Sequence, residues 1–164
     1  MSQEHLKQLY VEQLRDLYAA ETQLLGALPA LRQAVHDAQL RGHLEERLAQ
    51  LQRQLGCLVQ IFAALNETPG GGTCLAMQGL VCEGEEAMRT HHDPGERDAA
   101  ISTAAQRMER HETADYGAVW TSAERLGETE AARWLACMRR DPAPAGGPPL
   151  RPVAPPVRVQ VSPT

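Results

Sequence analysis

Apolar positions in the first third of the chain recur in two interleaved registers of seven. Tyr10, Leu17, Leu24 and Leu31 form one, and Leu14, Glu21, Leu28 and Val35 the other. Such an a/d stripe over four heptads predicts a long helix over about 3–36, packed in a bundle. Pro29 falls inside the stripe and is expected to kink the helix or end it early. One stripe position is charged, Glu21. A second stripe predicts a helix over about 37–66, with Leu44, Leu51, Leu58 and Leu65 alternating with Leu48, Leu55 and Phe62, and this seam has no polar member. The run Glu67-Thr68-Pro69-Gly70-Gly71-Gly72 is a loop.

A third helix is expected from Thr73, as its cap, to about His91, carrying Met77, Leu80, Val81 and Met88. Asp93-Pro94-Gly95-Glu96 then combines an N-cap, a first-turn proline and a capping-box acid, and opens a fourth helix to about Leu126. Its stripe is Ile101, Ala105, Met108, Glu112, Asp115, Val119, Ser122 and Leu126, with two carboxylates among apolar side chains. Gly127 interrupts it, and a short fifth helix follows over 128–140.

Composition agrees with this pattern. Leu and Ala supply 44 of the 164 residues, and both favour helix, whereas strands favour the β-branched and aromatic residues that are scarce here. The expected fold is all-α: a bundle of four main helices plus a short fifth. After Asp141 the character changes, because eight of the eleven prolines lie in 142–164 with no acid among them. The chain therefore divides into a helical bundle, residues 1–140, and a Pro-rich disordered tail, residues 141–164.

Charge and aromatics exclude several functions. A net charge of −5 and only six aromatic residues argue against nucleic acid, which needs a basic footprint and stacking rings. The start is polar, without the apolar core of an export signal, and the longest uncharged apolar-rich stretch has 13 residues, so no membrane association and a cytoplasmic location are expected. Cys57, Cys74, Cys82 and Cys137 include no CxxC pair and are expected to be small buried thiols.

A carboxylate on a bundle seam is costly unless it is paired, protonated or bound to a metal. Glu21, Glu112 and Asp115 hold such positions, with Glu83 and Glu109 flanking them. Inward acids from several helices are how a bundle builds a di-metal carboxylate site, which also asks for Glu-x-x-His pairs. None exists here: the residues three before the six histidines are Ser2, Gln33, Leu40, Met88, Arg89 and Met108. His111 lies beside Glu112 and four residues before Asp115, where an ion-paired flank histidine is the simpler expectation than a ligand.

Ordered short matches extend over about 5–138. They include the run from Gln13 to Glu21, Ala27-Leu28-Pro29, Gln60-Ile61-Phe62, Thr73-Cys74, Gly79-Leu80, Glu83-Gly84-Glu85-Glu86, Arg97-Asp98-Ala99-Ala100 and Tyr116-Gly117. In these the chain resembles the YciE/YciF ferritin-like family of bacterial stress-associated proteins. The resemblance implies a ferritin-like bundle, a homodimer and a di-metal carboxylate site with Glu21, Glu83, Glu109 and Glu112 as metal candidates. Iron or another divalent metal would be the cofactor. Several ligands depart from the family pattern. Cys82 replaces an acid, Arg110 replaces the histidine between Glu109 and Glu112, and Ala49-Gln50 stand where the family has paired acids. His43-Leu44-Glu45-Glu46 offers similar acids one turn earlier, about 5 Å away. Arg139-Arg140-Asp141-Pro142 replaces an acidic run.

The function expected on this basis is a stress-associated, non-catalytic bundle protein with a degenerate di-metal site. The alternative is a working iron or manganese protein that uses the retained acids, with Glu45 or Glu46 completing the shell. A catalyst, such as a ferroxidase, is not expected without a Glu-x-x-His pair.

Overall fold

The structure, a computed structural model, describes residues 1–140. It has five helices and, among the described residues, no strand: α1 (Gln3–Ala34), α2 (Ala38–Ala64), α3 (Leu75–Thr90), α4 (Pro94–Leu126) and α5 (Thr129–Arg140). The expected Pro-rich tail, 141–164, lies outside the described residues.

Local chemistry sets most of the boundaries. The Ser2 hydroxyl caps α1 by accepting from the His5 amide at 3.2 Å. Asp37 caps α2 through the Leu40 amide at 2.7 Å, and Asp93 caps α4 through the Glu96 amide at 3.0 Å. Pro94 occupies the first turn of α4, where its missing N–H costs nothing. Gly127 closes α4 at φ 75°, a left-handed conformation that suits glycine.

Two expectations need correction. Of the two outcomes expected at Pro29, a kink or an early end, the early end does not occur: α1 runs through Pro29 to Ala34. Proline inside a helix costs about 3 kcal/mol, but Leu28, Leu31 and Val35 are all fully buried around it, and each apolar burial returns roughly 1.5–3 kcal/mol. The cap of α3 is Cys74 rather than Thr73, and its side chain makes no capping hydrogen bond.

α1 packs against α2, α3 and α4, and α5 packs mainly on α4. Gly84 lets α3 approach closely, since a Cβ there would stand 3.2 Å from a Leu31 methyl and 3.3 Å from the Met108 methyl. The α1–α2 turn is tied down by buried Asp98 of α4, whose carboxylate accepts from the amides of His36 (2.9 Å) and Asp37 (2.7 Å). Arg15 holds the long loop after α2 by donating to the Thr68 carbonyl and the Glu67 carboxylate.

The core has two apolar halves. Leu24, Leu28, Leu31, Leu44, Leu51, Met77, Ile101 and Met108 belong to one, and Leu14, Leu17, Leu58, Phe62, Val119 and Leu135 to the other. Between them lie buried polar residues: Glu21 from α1, Gln54 from α2 and Glu112 from α4, with Arg47 and Gln50 of α2 beside them. The α2 seam is therefore not purely apolar. Its second buried register is Leu40, Arg47, Gln54 and Ile61, while Leu48 and Leu55 are only partly buried.

The cysteines also differ from expectation. All four are free, but only Cys74 is buried; Cys57 is half-buried, and Cys82 and Cys137 are exposed.

Candidate metal centre

The polar layer is built where helices α1, α2 and α4 meet. Glu21 is fully buried, and neither of its oxygens has a hydrogen bond of normal geometry. Glu112 and Tyr116 of α4 are the polar groups that face it. Burial, reinforced by the Glu112 charge, pushes the Glu21 carboxyl well above the ordinary carboxylate range.

Opposite stands a cation that belongs to the protein. One terminal nitrogen of Arg47 donates to both Glu112 oxygens, at 2.8 and 2.6 Å. The other terminal nitrogen donates to the Gln50 side-chain oxygen. The Arg47 Nε lies 3.7 Å from a Glu109 oxygen, which His43 Nε2 approaches to 2.7 Å. Burial raises the Glu112 carboxyl, but Arg47 opposes that shift. The neighbouring acids in turn hold Arg47 charged despite its burial. Tyr116, enclosed beside Glu21 and Glu112, has its hydroxyl pushed far above the usual tyrosine range, chiefly by burial.

The four expected metal residues do not converge. Glu21 and Glu112 share the core. Glu109 sits at its edge, engaged by His43 and Arg47. Glu83 is on the exposed face, ion-paired with Arg107 at 2.7 Å. Glu45 and Glu46 are exposed as well, and Glu45 pairs with Arg32. Ala49 is exposed and Gln50 is bound to Arg47. Arg110, which replaces the family histidine, is exposed, and the cation beside the buried acids is Arg47.

A di-metal ion pair needs several free carboxylates around one space. Here the guanidinium covers both oxygens of Glu112, approaches Glu109 and is also the positive charge that Glu21 feels. The donor set does not fit such a centre. The balance of charge is met by Arg47, a residue the leucine pattern concealed: Leu48 and Leu55 offered a competing stripe. The signal lay in the Leu40–Arg47–Gln54–Ile61 spacing of seven.

A second group draws on the same stretch of α4. His111 Nε2 is 3.0 Å from Asp115 Oδ2 and 3.6 Å from Cys74 Sγ, and one ligand atom from each of the three lies within 4.8 Å of the others. Asp16 of α1 accepts from the Cys74 thiol at 3.4 Å. His111 is thus ion-paired with Asp115, as expected, and in contact with a thiol as well.

This bundle, with acids from α1 and α4 meeting at its centre, is that of a known family: the chain belongs to the one described as "Domain of unknown function (DUF892)", whose profile matches residues 5–142. Among its relatives is Protein YciF of Escherichia coli (strain K12), 34% identical over 139 residues, which are 82% of each chain. The crystal structure of the E. coli stress protein YciF superposes with a TM-score of 0.79 at 32% identity, covering 82% of this chain and 86% of that one. YcfI of Rhodopseudomonas palustris matches with a TM-score of 0.78 at 33% identity, covering 82% and 88%. The resemblance to YciF and the all-α bundle expected from the sequence are both borne out. Among the described residues, no helix is long and apolar enough to cross a membrane.

Proposed function

We propose that this chain is a non-catalytic, stress-associated bundle protein of the YciF type in which an internal guanidinium takes the place of the di-metal ions. One observation carries the reading: Arg47 is buried against both oxygens of Glu112, beside fully buried Glu21. A positive side chain at that point repels a divalent cation and satisfies the acid that would bind it. The retained acids then serve the fold. Glu112 anchors Arg47, and burial and the acidic neighbour shift Glu21 toward its protonated form. The stress association rests on the E. coli relative, described as a stress protein. The protein acts in the cytoplasm as a homodimer; exposed Val59 and Leu75 are the kind of apolar side chain a second copy would cover.

The test is metal content of protein purified without chelator or affinity nickel. Iron and manganese are expected far below one ion per chain, unchanged by Glu21→Ala. Stoichiometric iron or manganese that is lost on Glu21→Ala would overturn this reading in favour of a working di-metal protein using the retained acids.

A further inference from the structure

The group at the start of α3 has a different chemistry from the carboxylate core. Cys74, His111 and Asp115 offer one sulfur, one nitrogen and one oxygen, a donor set that suits a borderline divalent cation such as zinc better than iron-site carboxylates do. We propose that Cys74, His111 and Asp115 form a mononuclear zinc-class site, with Asp16 as the nearest further oxygen ligand.

The spacing fits such an ion. Bonds of roughly 2.3 Å to sulfur and 2.0 Å to nitrogen at the tetrahedral angle hold those two atoms about 3.5 Å apart. The Cys74 Sγ to His111 Nε2 distance is 3.6 Å, and the Cys74 Sγ to Asp16 Oδ2 distance is 3.4 Å. His111 and Asp115 are at i and i+4 on α4, which puts imidazole and carboxylate on one face, one turn apart.

The frame around the ligands is rigid. Gln23 of α1 grips the backbone of Cys74 from both sides: its side-chain oxygen accepts from the Cys74 amide at 2.8 Å, and its amide group donates to the Cys74 carbonyl at 3.2 Å. That clamp fixes a helix cap whose side chain does no capping, so the sulfur is free to face Asp16 and His111. Cys74 itself is 1% exposed. The His111 and Asp115 side chains keep 24% and 23% of their surface, so solvent reaches two of the three ligands.

The electrostatics of this corner also call for a cation. Asp115 Oδ2 is shut off from solvent and receives no properly aligned hydrogen bond, although His111 is close. Burial, together with Asp16 and Asp115, pushes the Cys74 thiol up. Burial likewise raises the Asp115 carboxyl, against the pull of His111. A bound divalent ion would neutralise the thiolate and carboxylate together, releasing the thiol proton. The three ligands are distinct from the Arg47 layer's acids, although the charge of neighbouring Glu112 also raises Asp115.

The experiment is titration of the full chain with cobalt(II), a coloured probe for zinc sites. One equivalent is expected to produce a thiolate-to-cobalt charge-transfer band and the intense visible bands of a tetrahedral ion, both bleached by one equivalent of zinc. Cys74→Ser abolishes the charge-transfer band, and His111→Ala weakens cobalt binding at least tenfold. Glu21→Gln and Cys82→Ser leave the spectrum as in the wild type. Circular dichroism of each variant verifies the fold, and Asp115→Asn, which keeps the side-chain volume, provides a second lesion should Cys74→Ser not fold. No thiolate band at stoichiometric cobalt, or a band that survives Cys74→Ser or Asp115→Asn in folded protein, overturns the proposal.

Discussion

Replacing Arg47 by methionine keeps most of the stem volume and removes the charge, so the loss falls on the polar layer. Glu112 then loses both of its hydrogen bonds to the guanidinium, Glu109 loses a cation at 3.7 Å, and Gln50 loses its donor. Breaking a buried pair by removing one partner costs about 3–5 kcal/mol, because the remaining charge stays buried. For a domain of this size each kcal/mol shifts Tm by roughly 3 °C. Thermal unfolding followed by far-UV circular dichroism should therefore show Arg47→Met melting about 9–15 °C below the wild type. Glu112→Gln in the same chain should recover much of that loss, since the stranded charge is gone. Arg47→Met also opens the acidic space, so added manganese should raise the Tm of the variant and leave that of the wild type unchanged. A drop of less than about 3 °C, or no recovery in the double variant, would show that Arg47 is not the counter-charge of this core.

Two further outcomes follow from the same geometry. Glu21→Gln should melt above the wild type at pH 7. The raised carboxyl means that the folded state holds its proton more tightly than the unfolded chain, whose value is 4.5. The stability contributed by the protonated acid is thus complete below pH 4.5 and declines as pH rises toward the folded value, so the advantage of the variant should vanish on acidification. A gain independent of pH would refute that origin. Size-exclusion chromatography with light scattering should give the mass of two chains, and a single-chain mass at micromolar concentration would refute the dimer.

Much of the fold was legible because seams of leucine and alanine state their period openly, and the caps Asp37, Asp93 and Gly127 mark the ends in residues whose chemistry is local. Pro29 did not end α1, because its cost is set by the residue itself whereas the compensating burial of Leu28, Leu31 and Val35 is tertiary. The polar layer was half visible. Glu21 and Glu112 stood out as acids on apolar stripes, but Arg47 lay on α2 beside a stronger-looking leucine register. Glu83 shows the converse: its place in a family motif carried no information about which face it would take, and it points to solvent with Arg107. The i, i+4 pair His111–Asp115 was visible in the sequence, but Cys74 stands 37 residues before His111, and no local period could have announced that it joins them.

The alternation of Arg47 and Gln54 along α2 has one more consequence. Leu44, Leu51 and Leu58 repeat every seven residues, so α2 could slide one heptad along α1, about 10 Å, and still set leucine against leucine. In that shifted frame Gln54 would stand near Glu112, and Arg47 would be carried into the apolar half that now holds Leu44. A neutral amide would face a buried acid, and a guanidinium would be stranded among leucines. The correct frame alone joins the opposite charges, so the polar layer acts as a key that lets the two long helices meet in one alignment.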